Sequence, residues 1–211
     1  EVWPNENRVW AYERVRTEKN IEENRLWWGK DGKLEKPRMK TFLADVGTGV
    51  VPDTLWLRKH VGDNQDAARE IRSIFTNPLF DTPKPVALLA RCHQVANFSD
   101  GDISLDFFSG SATTAHAVMQ LNAEDGGSRR HIMVQLPDPC DEKKAAYQAG
   151  YSTIAEIGKE RIRRAGSKIR AELEAQLEGE LPNTDKHQEI TTRLAKLDIG
   201  FRVLKIVSKE Y

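Results

Sequence analysis

Long apolar runs are missing from this 211-residue sequence. The most apolar stretches, such as Val86–Ala90 and Ile103–Phe108 (broken by Asp106), fall far short of the ~20 residues a membrane-spanning helix needs, so no membrane partner is expected. Cysteine is scarce. Cys92 and Cys140 form neither a disulfide framework nor a metal-ligand spacing, which points to a reducing, cytoplasmic setting. Charge of one sign is also lacking: Lys plus Arg and Asp plus Glu are 32 each, so polyanion binding would need a local patch. The five histidines (His60, His93, His116, His131, His187) show no H-E-x-x-H spacing, and no metal site is expected. No signal peptide is evident and the first residue is Glu, from which a piece of a longer protein is expected.

What is present is a globular balance, 39% hydrophobic and 30% charged, on a length that favours one domain. All five tryptophans (Trp3, Trp10, Trp27, Trp28, Trp56) precede residue 57. Residues 1–62 read as irregular and strand-like, punctuated by turns at 30–32, 46–49 and 51–53. From residue 64 the pattern is regular. Asn64 can cap a helix with Ala67, Ile71, Ile74 and Phe75 on one face. After a proline-rich break, Pro85 can open another helix, with Val86, Leu89 and His93 on one side. A strand at Ile103–Phe108, the turn Ser109-Gly110-Ser111, a helix from Ala112 to about Asn122 and a strand at His131–Leu136 make a β-turn-α-loop-β unit. Such a unit belongs to a three-layer α/β fold with a parallel sheet. Thr153 to Glu156 reads as a capping box opening a long amphipathic helix that Gly179 and Pro182 stop. A second helix near Thr184–Leu197 completes a helical hairpin, and a last strand is expected at Gly200–Val207.

The stretch Leu105 to Thr114 carries the chemistry. Ligands of open α/β sheets sit at the carboxyl ends of strands, where this turn lies. Gly110 admits a ligand close to the backbone, and Ser111 and Thr113 can cap the helix or donate to a carboxylate at its N-terminus. Asp106 can accept from an ammonium, and Phe107 or Phe108 can pack on a sulfonium or ring. Only one glycine of G-x-G-x-x-G is present and no P-loop lysine follows, so a small zwitterion suits the turn better than a diphosphate. The same residues also fit a tight turn that binds nothing.

Asp106–Ala117, D-F-F-S-G-S-A-T-T-A-H-A, resembles the S-adenosylmethionine-binding motif of amino-group DNA methyltransferases, and most closely that of the adenine-methylating modification (Mod) subunits of type III restriction-modification systems. Further segments agree in order: 51–67, Phe80-Asp-Thr-Pro-Lys-Pro85, His131–Pro137, 149–164 and Gly200–Leu204. The resemblance implies a Rossmann-like three-layer methyltransferase fold, incomplete and carrying an inserted helical hairpin. Residues 63–211 would form the S-adenosylmethionine-binding part, and 1–62 the end of a target-recognition region. By the same resemblance, Thr82, Lys84 and Pro85 would line the methionine carboxylate. Asp106 would take the ammonium, Phe108 would pack on the cofactor, Gly110, Ser111 and Thr113 would form the cradle, and Gln135 would face the ribose. It also implies double-stranded DNA, a restriction subunit and a second modification subunit as partners of the full-length protein.

Two residues depart from the family pattern. Ala112 replaces a frequent second glycine, and Gln135 an acid, which weakens one ribose contact by roughly 1 kcal/mol. The catalytic signature, Asp-Pro-Pro-Tyr or a close variant, occurs nowhere in the chain; Pro137-Asp-Pro-Cys140 has the wrong order and no aromatic. No catalytic residue is therefore assigned, and the chain is expected to bind cofactor without transferring a methyl group. Two other classes stay open: another Rossmann-type nucleotide-dependent enzyme, and a non-catalytic DNA-binding or assembly module. The charges Arg161, Arg163, Arg164, Lys168 and Arg170 read as a solvated helix face, Arg129-Arg130-His131 as a solvated loop, His93 and His116 as partial-core residues, and Cys92 as a small buried hydrophobe.

Overall fold

The computed structural model describes residues 13–46 and 51–205, which fall into two compact units divided between Pro52 and Asp53. Trp3, Trp10, most of the turn expected at 46–49 and the end of the strand expected at 200–207 lie outside the described residues.

In the first unit the chain forms helix α1 (Arg14–Glu22), a two-residue antiparallel ladder of β1 (Leu26–Trp27) with β2 (Arg38–Met39), and a 3-10 turn at Leu43–Asp45. The helix was not expected, since its sequence RVRTEKNIE has no apolar stripe and buries only Asn20. Arg25 holds the far end of the ladder by pairing with Asp45 and lying 5.3 Å over the Phe42 ring. Trp27 and Trp28 are both more than one-third exposed.

The second unit opens with a short turn of helix, α2 (Arg58–Val61), and then α3 (Asn64–Phe75). Asp63, one residue before the expected cap, caps α3. Its backbone is extended, its carboxylate accepts the N–H groups of Gln65 and Asp66, and Asp66 reciprocates on the Asp63 N–H. Ala67, Ile71 and Phe75 are buried, as the stripe predicts. Next come α4 (Val86–Val95), capped by Pro85, β3 (Ile103–Asp106), α5 (Thr113–Asp125) and β4 (Arg130–Met133). The strands pair in parallel, Ile103 with Arg130 through Asp106 with Met133, as the sequence pattern predicts, although each is shorter than expected.

One face of the β3–β4 pair is tied to helices. His93 of α4 shares a hydrogen bond with Ser104 Oγ at 2.8 Å, Thr114 of α5 donates to Asp106, and Asn122 of α5 brackets the backbone of Arg129. Arg129 is no solvated loop residue: it forks onto Asp125 and donates to the Phe98 carbonyl. On the opposite face Ile103, Leu105 and Ile132 are each 48% exposed. Cys92 is exposed rather than buried, because α4 turns His93 inward and leaves its neighbour outside.

After β4 the chain passes a short helix, α6 (Ala145–Gln148), and an antiparallel bridge between Pro139 and Thr153, which returns it to the start of α7 (Ile154–Glu178). Thr153 accepts the Glu156 N–H, but the Glu156 carboxylate turns to Lys159, so the capping box is only half formed. Helix α8 (Asp185–Lys196) completes the expected hairpin. The hairpin packs on α5: Ala115, Met119 and Ala123 meet Ile162, Ala165, Ile169 and Leu173 of α7 and Ile190 of α8 in one core cluster. Alanines on α5 let the helices approach closely, and each isoleucine or leucine buried there contributes about 1.5–3 kcal/mol. A second cluster joins Ile71, Phe75 and Leu79 to Ile157 and Ala146. The strand expected from Gly200 does not form over 200–205. Among the described residues it pairs with no strand, and Ile199 and Phe201 pack against the helical cluster instead.

Candidate functional site

The carboxyl end of β3 is where the chain leaves the sheet, and its last residue is Asp106. Both oxygens of this carboxylate are fixed from within the chain. Oδ1 accepts the Phe108 N–H at 3.1 Å, and Oδ2 accepts the Thr114 hydroxyl at 2.6 Å. Each oxygen keeps a lone pair for a further donor. The turn that follows is pinned to β4's extension, since Ser109 N–H donates to the Val134 carbonyl and Gly110 N–H to Gln135 Oε1 at 2.7 Å.

Two successive requirements for left-handed backbone shape the turn. Gly110 has φ +51°, and a Cβ built there would stand 3.3 Å from Phe80 Cζ. Ala112, the N-cap of α5, has φ 61° and ψ 41°, a conformation that costs a residue with a Cβ about 1–2 kcal/mol. Its methyl is buried against α7, where a Cβ on Gly158 would be 3.5 Å from it and 3.1 Å from the Gly110 carbonyl. Helix α7 therefore lies directly behind the turn, and the missing side chain of Gly158 leaves room for it.

The structure gathers Asp106, Gly110 and Gln135 at the ends of the two strands. It brings Phe80, which sequence reasoning left without a role, onto Gly110. Thr82 and Lys84 on the adjoining segment are exposed, and Pro85 is buried against Gly62. Phe107 and Phe108 are 64% and 88% exposed, so their ring faces are open to a ligand.

Ser111 and Thr113 behave differently from expectation. Neither caps α5: both hydroxyls accept from Nη1 of Arg161, at 2.9 and 2.7 Å. Arg161 does not belong to a solvated face. Its side chain is wholly buried, and burial draws its pKa down to about 10, which still leaves it cationic at neutral pH. Arg163 and Arg164, its neighbours, do share Glu160 at the surface. Glu70 faces Arg161 Nη2 at 3.9 Å, and burial pushes the Glu70 carboxyl up despite the nearby cation. His116, on the buried side of α5, is held neutral with a pKa of about 3 by burial first and then by Arg161 and Lys168.

A separate concavity of about 440 Å³ lies between α3 and α7, lined by Ser73, Glu160, Arg164 and Lys168 among others. Arg164 there is paired with Glu160, and Lys168 donates to Ser73, so the groove offers no unengaged cation of its own. Among the described residues, no group of three or more His, Cys, Asp or Glu is placed to hold a metal ion, and no helix is long and apolar enough to cross a membrane.

Comparison with known proteins identifies the family of the chain. A family model described as DNA methylase matches residues 4–165, a span that includes the turn and Arg161. The Mod subunit of the type III restriction-modification enzyme StyLTI from Salmonella typhimurium is 41% identical over 164 residues, which is 78% of this chain and 24% of that protein. The EcoPI Mod subunit of Escherichia phage P1 is 35% identical over 133 residues, 63% of this chain and 20% of that protein. The type II methyltransferase M.KpnI of Klebsiella pneumoniae is 41% identical over 91 residues, 43% of this chain and 22% of that protein. The chain thus spans about a quarter or less of the length of these curated relatives.

Proposed function

The chain belongs to the DNA methylase family, and on that premise we propose that it is the cofactor-binding part of a DNA adenine-N6 methyltransferase, the modification subunit of a type III restriction-modification system. Likeness to two Mod subunits supports the system, and the turn after Asp106 supports the role within it. Residues 63–211 form the donor-binding part and residues 1–62 the end of a target-recognition region. The fold is a Rossmann-like three-layer sheet of which the parallel β3–β4 pair and α5 are one part. The open face bearing Ile103, Leu105 and Ile132 fits a layer still to be added.

The methyl donor is S-adenosylmethionine, which when bound supplies a methyl group activated on a sulfonium. The residues present suit it. Asp106 offers a fixed carboxylate to an ammonium, and Phe107 and Phe108 offer ring faces to a cationic sulfur. Gly110 takes the left-handed conformation of the turn and leaves room for the Phe80 ring against it. Thr82, Lys84 and Pro85 line the carboxylate end, with Lys84 free to meet a negative charge from solvent. Ser111 and Thr113 serve through the shape they give the backbone. Gln135 holds the turn through Oε1 and rests its amide nitrogen on the Leu136 carbonyl and Asp138, contacts it would exchange for the ribose on binding. The Asp-Pro-Pro-aromatic signature that would hold and activate adenine is not in these 211 residues, so the chain alone binds donor and transfers no methyl group. In the full-length protein the partners are double-stranded DNA, a restriction subunit and a second modification subunit, in the cytoplasm.

One observation carries this reading: a strand-end carboxylate clamped at both oxygens over a turn that a Cβ at Gly110 would crowd. Titration calorimetry tests it. The chain should bind S-adenosylmethionine in preference to NAD or ATP, and Asp106→Ala should lose one charge-assisted bond, about 1.5–3 kcal/mol or ten- to a hundredfold in affinity. Binding of NAD or ATP alone would refute the reading. An unchanged dissociation constant in a folded Asp106→Ala chain would remove Asp106 from the site.

A further inference from the structure

Arg161 comes from α7, which contributes no residue to the turn, yet its guanidinium is the most enclosed charged group among the described residues. Nη1 donates to Ser111 Oγ and Thr113 Oγ1, and Nη2 lies 3.9 Å from Glu70 Oε2. Glu70 in turn accepts the Val86 N–H, at 3.0 Å to Oε2 and 3.3 Å to Oε1. Val86 is the first residue of α4 and follows Pro85 directly. A single guanidinium therefore stands between the turn after β3 and the segment ending at Pro85, the two stretches assigned to the ammonium and the carboxylate of the donor's methionine end.

Packing does not account for it. The stripe around it is apolar, with Ile157, Ile162 and Ala165 all buried, and a leucine or methionine would fill the position without the desolvation of a charge. Arg161 Nε and Nη2 find no hydrogen-bond acceptor, and the attraction to Glu70 does not offset burial in either group. The fork supplies geometry instead: one arm holds two hydroxyls of the turn and the other faces the carboxylate that anchors α4.

We propose that Arg161, with Glu70, is a positioning pair that sets the Asp106–Thr113 turn and the Thr82–Pro85 segment at the separation the methyl donor requires. The proposal rests on the donor-site reading above. It makes Ser111 and Thr113 the means by which Arg161 acts, rather than direct ligands of the donor.

The test is calorimetry of the 211-residue chain with S-adenosylmethionine, with melting temperatures recorded alongside. Arg161→Met should weaken binding by at least about tenfold, and Ser111→Ala with Thr113→Val by a similar factor. Combining all three should weaken binding no further than the larger of the two, because both cut the same contact; a general loss of stability would compound instead. Glu70→Gln keeps an acceptor for the Val86 N–H and should weaken binding about three- to tenfold with little change in melting temperature. Wild-type affinity in a folded Arg161→Met chain, or effects that multiply in the combined variant, would overturn the pair. If Arg161→Met does not fold, unchanged affinity in Glu70→Gln does the same. Failure of the wild-type chain to bind donor would instead overturn the donor-site reading, and the pair with it.

Discussion

His116 should make the stability of this chain depend on pH from about 6.5 downwards, beginning above the range where carboxylates titrate. The ring is 9% exposed on α5, its Nδ1 has no partner, and burial, with Arg161 and Lys168 adding to it, depresses its pKa from 6.5 to about 3. Above pH 6.5 both folded and unfolded chains hold it neutral and it costs nothing. As pH falls below about 6.5 the unfolded chain takes up a proton that the folded chain refuses, so stability is lost progressively until about pH 3. One proton changes stability by about 1.4 kcal/mol per pH unit, which gives a loss of about 2 kcal/mol between about pH 7.5 and pH 5. Burial also lowers the His131 pKa, so the whole-chain slope is steeper, and the His116 share must be read by difference. The assay is urea denaturation followed by circular dichroism at both pH values, for the wild type and His116→Leu. The wild type should lose about 2 kcal/mol more than the variant over that interval. Parallel losses in the two proteins would show that His116 is protonated in the folded chain and that the enclosure described for it is wrong.

Two glycines of α7 give further checks. Gly158→Ala gains about 1 kcal/mol of helix propensity but places a methyl 3.1 Å from the Gly110 carbonyl, so donor affinity should fall about tenfold with little change in melting temperature. Unchanged affinity in calorimetry would mean that α7 does not shape the turn. Gly166→Ala would put its methyl 2.8 Å from Ile199 Cβ, and urea denaturation should show a loss of about 1–3 kcal/mol. Wild-type stability in Gly166→Ala would show that the segment after α8 is not packed on the hairpin.

The elements that could be read in advance are those whose stabilising contacts are periodic or local. Ala67, Ile71 and Phe75 repeat at helical spacing and are buried on α3; Gly179 and Pro182 end α7; Gly110 takes a left-handed position in the turn between β3 and α5. The misreadings fall where a distant partner decides. Residues 200–205 alternate like a strand, but a strand exists only beside another, and helix side chains take Ile199 and Phe201 instead. Helix α1 has the opposite problem, since nothing periodic marks it and its one buried residue is an asparagine.

The candidate site divides along the same line. Asp106, Gly110 and Gln135 are legible because strand ends and the turn between strand and helix bring them together along a short stretch of chain. The charge pattern groups Arg161 with Arg163 and Arg164, whose carboxylate partner Glu160 lies three and four residues away on the exposed face. Yet the buried residues of α7 are Ile157, Gly158, Arg161, Ile162, Ala165, Gly166, Ile169 and Leu173, and Arg161 falls squarely within that helical stripe. A charge on an apolar stripe is the one place where helical periodicity and charge pattern disagree. Periodicity carries more weight there, because the stripe decides which residues the core encloses, and enclosing an arginine costs several kcal/mol that its contacts must offset. What it holds could not be read in advance: Ser111 and Thr113 are 50 and 48 residues earlier in the chain, and only the folded core brings them to the guanidinium.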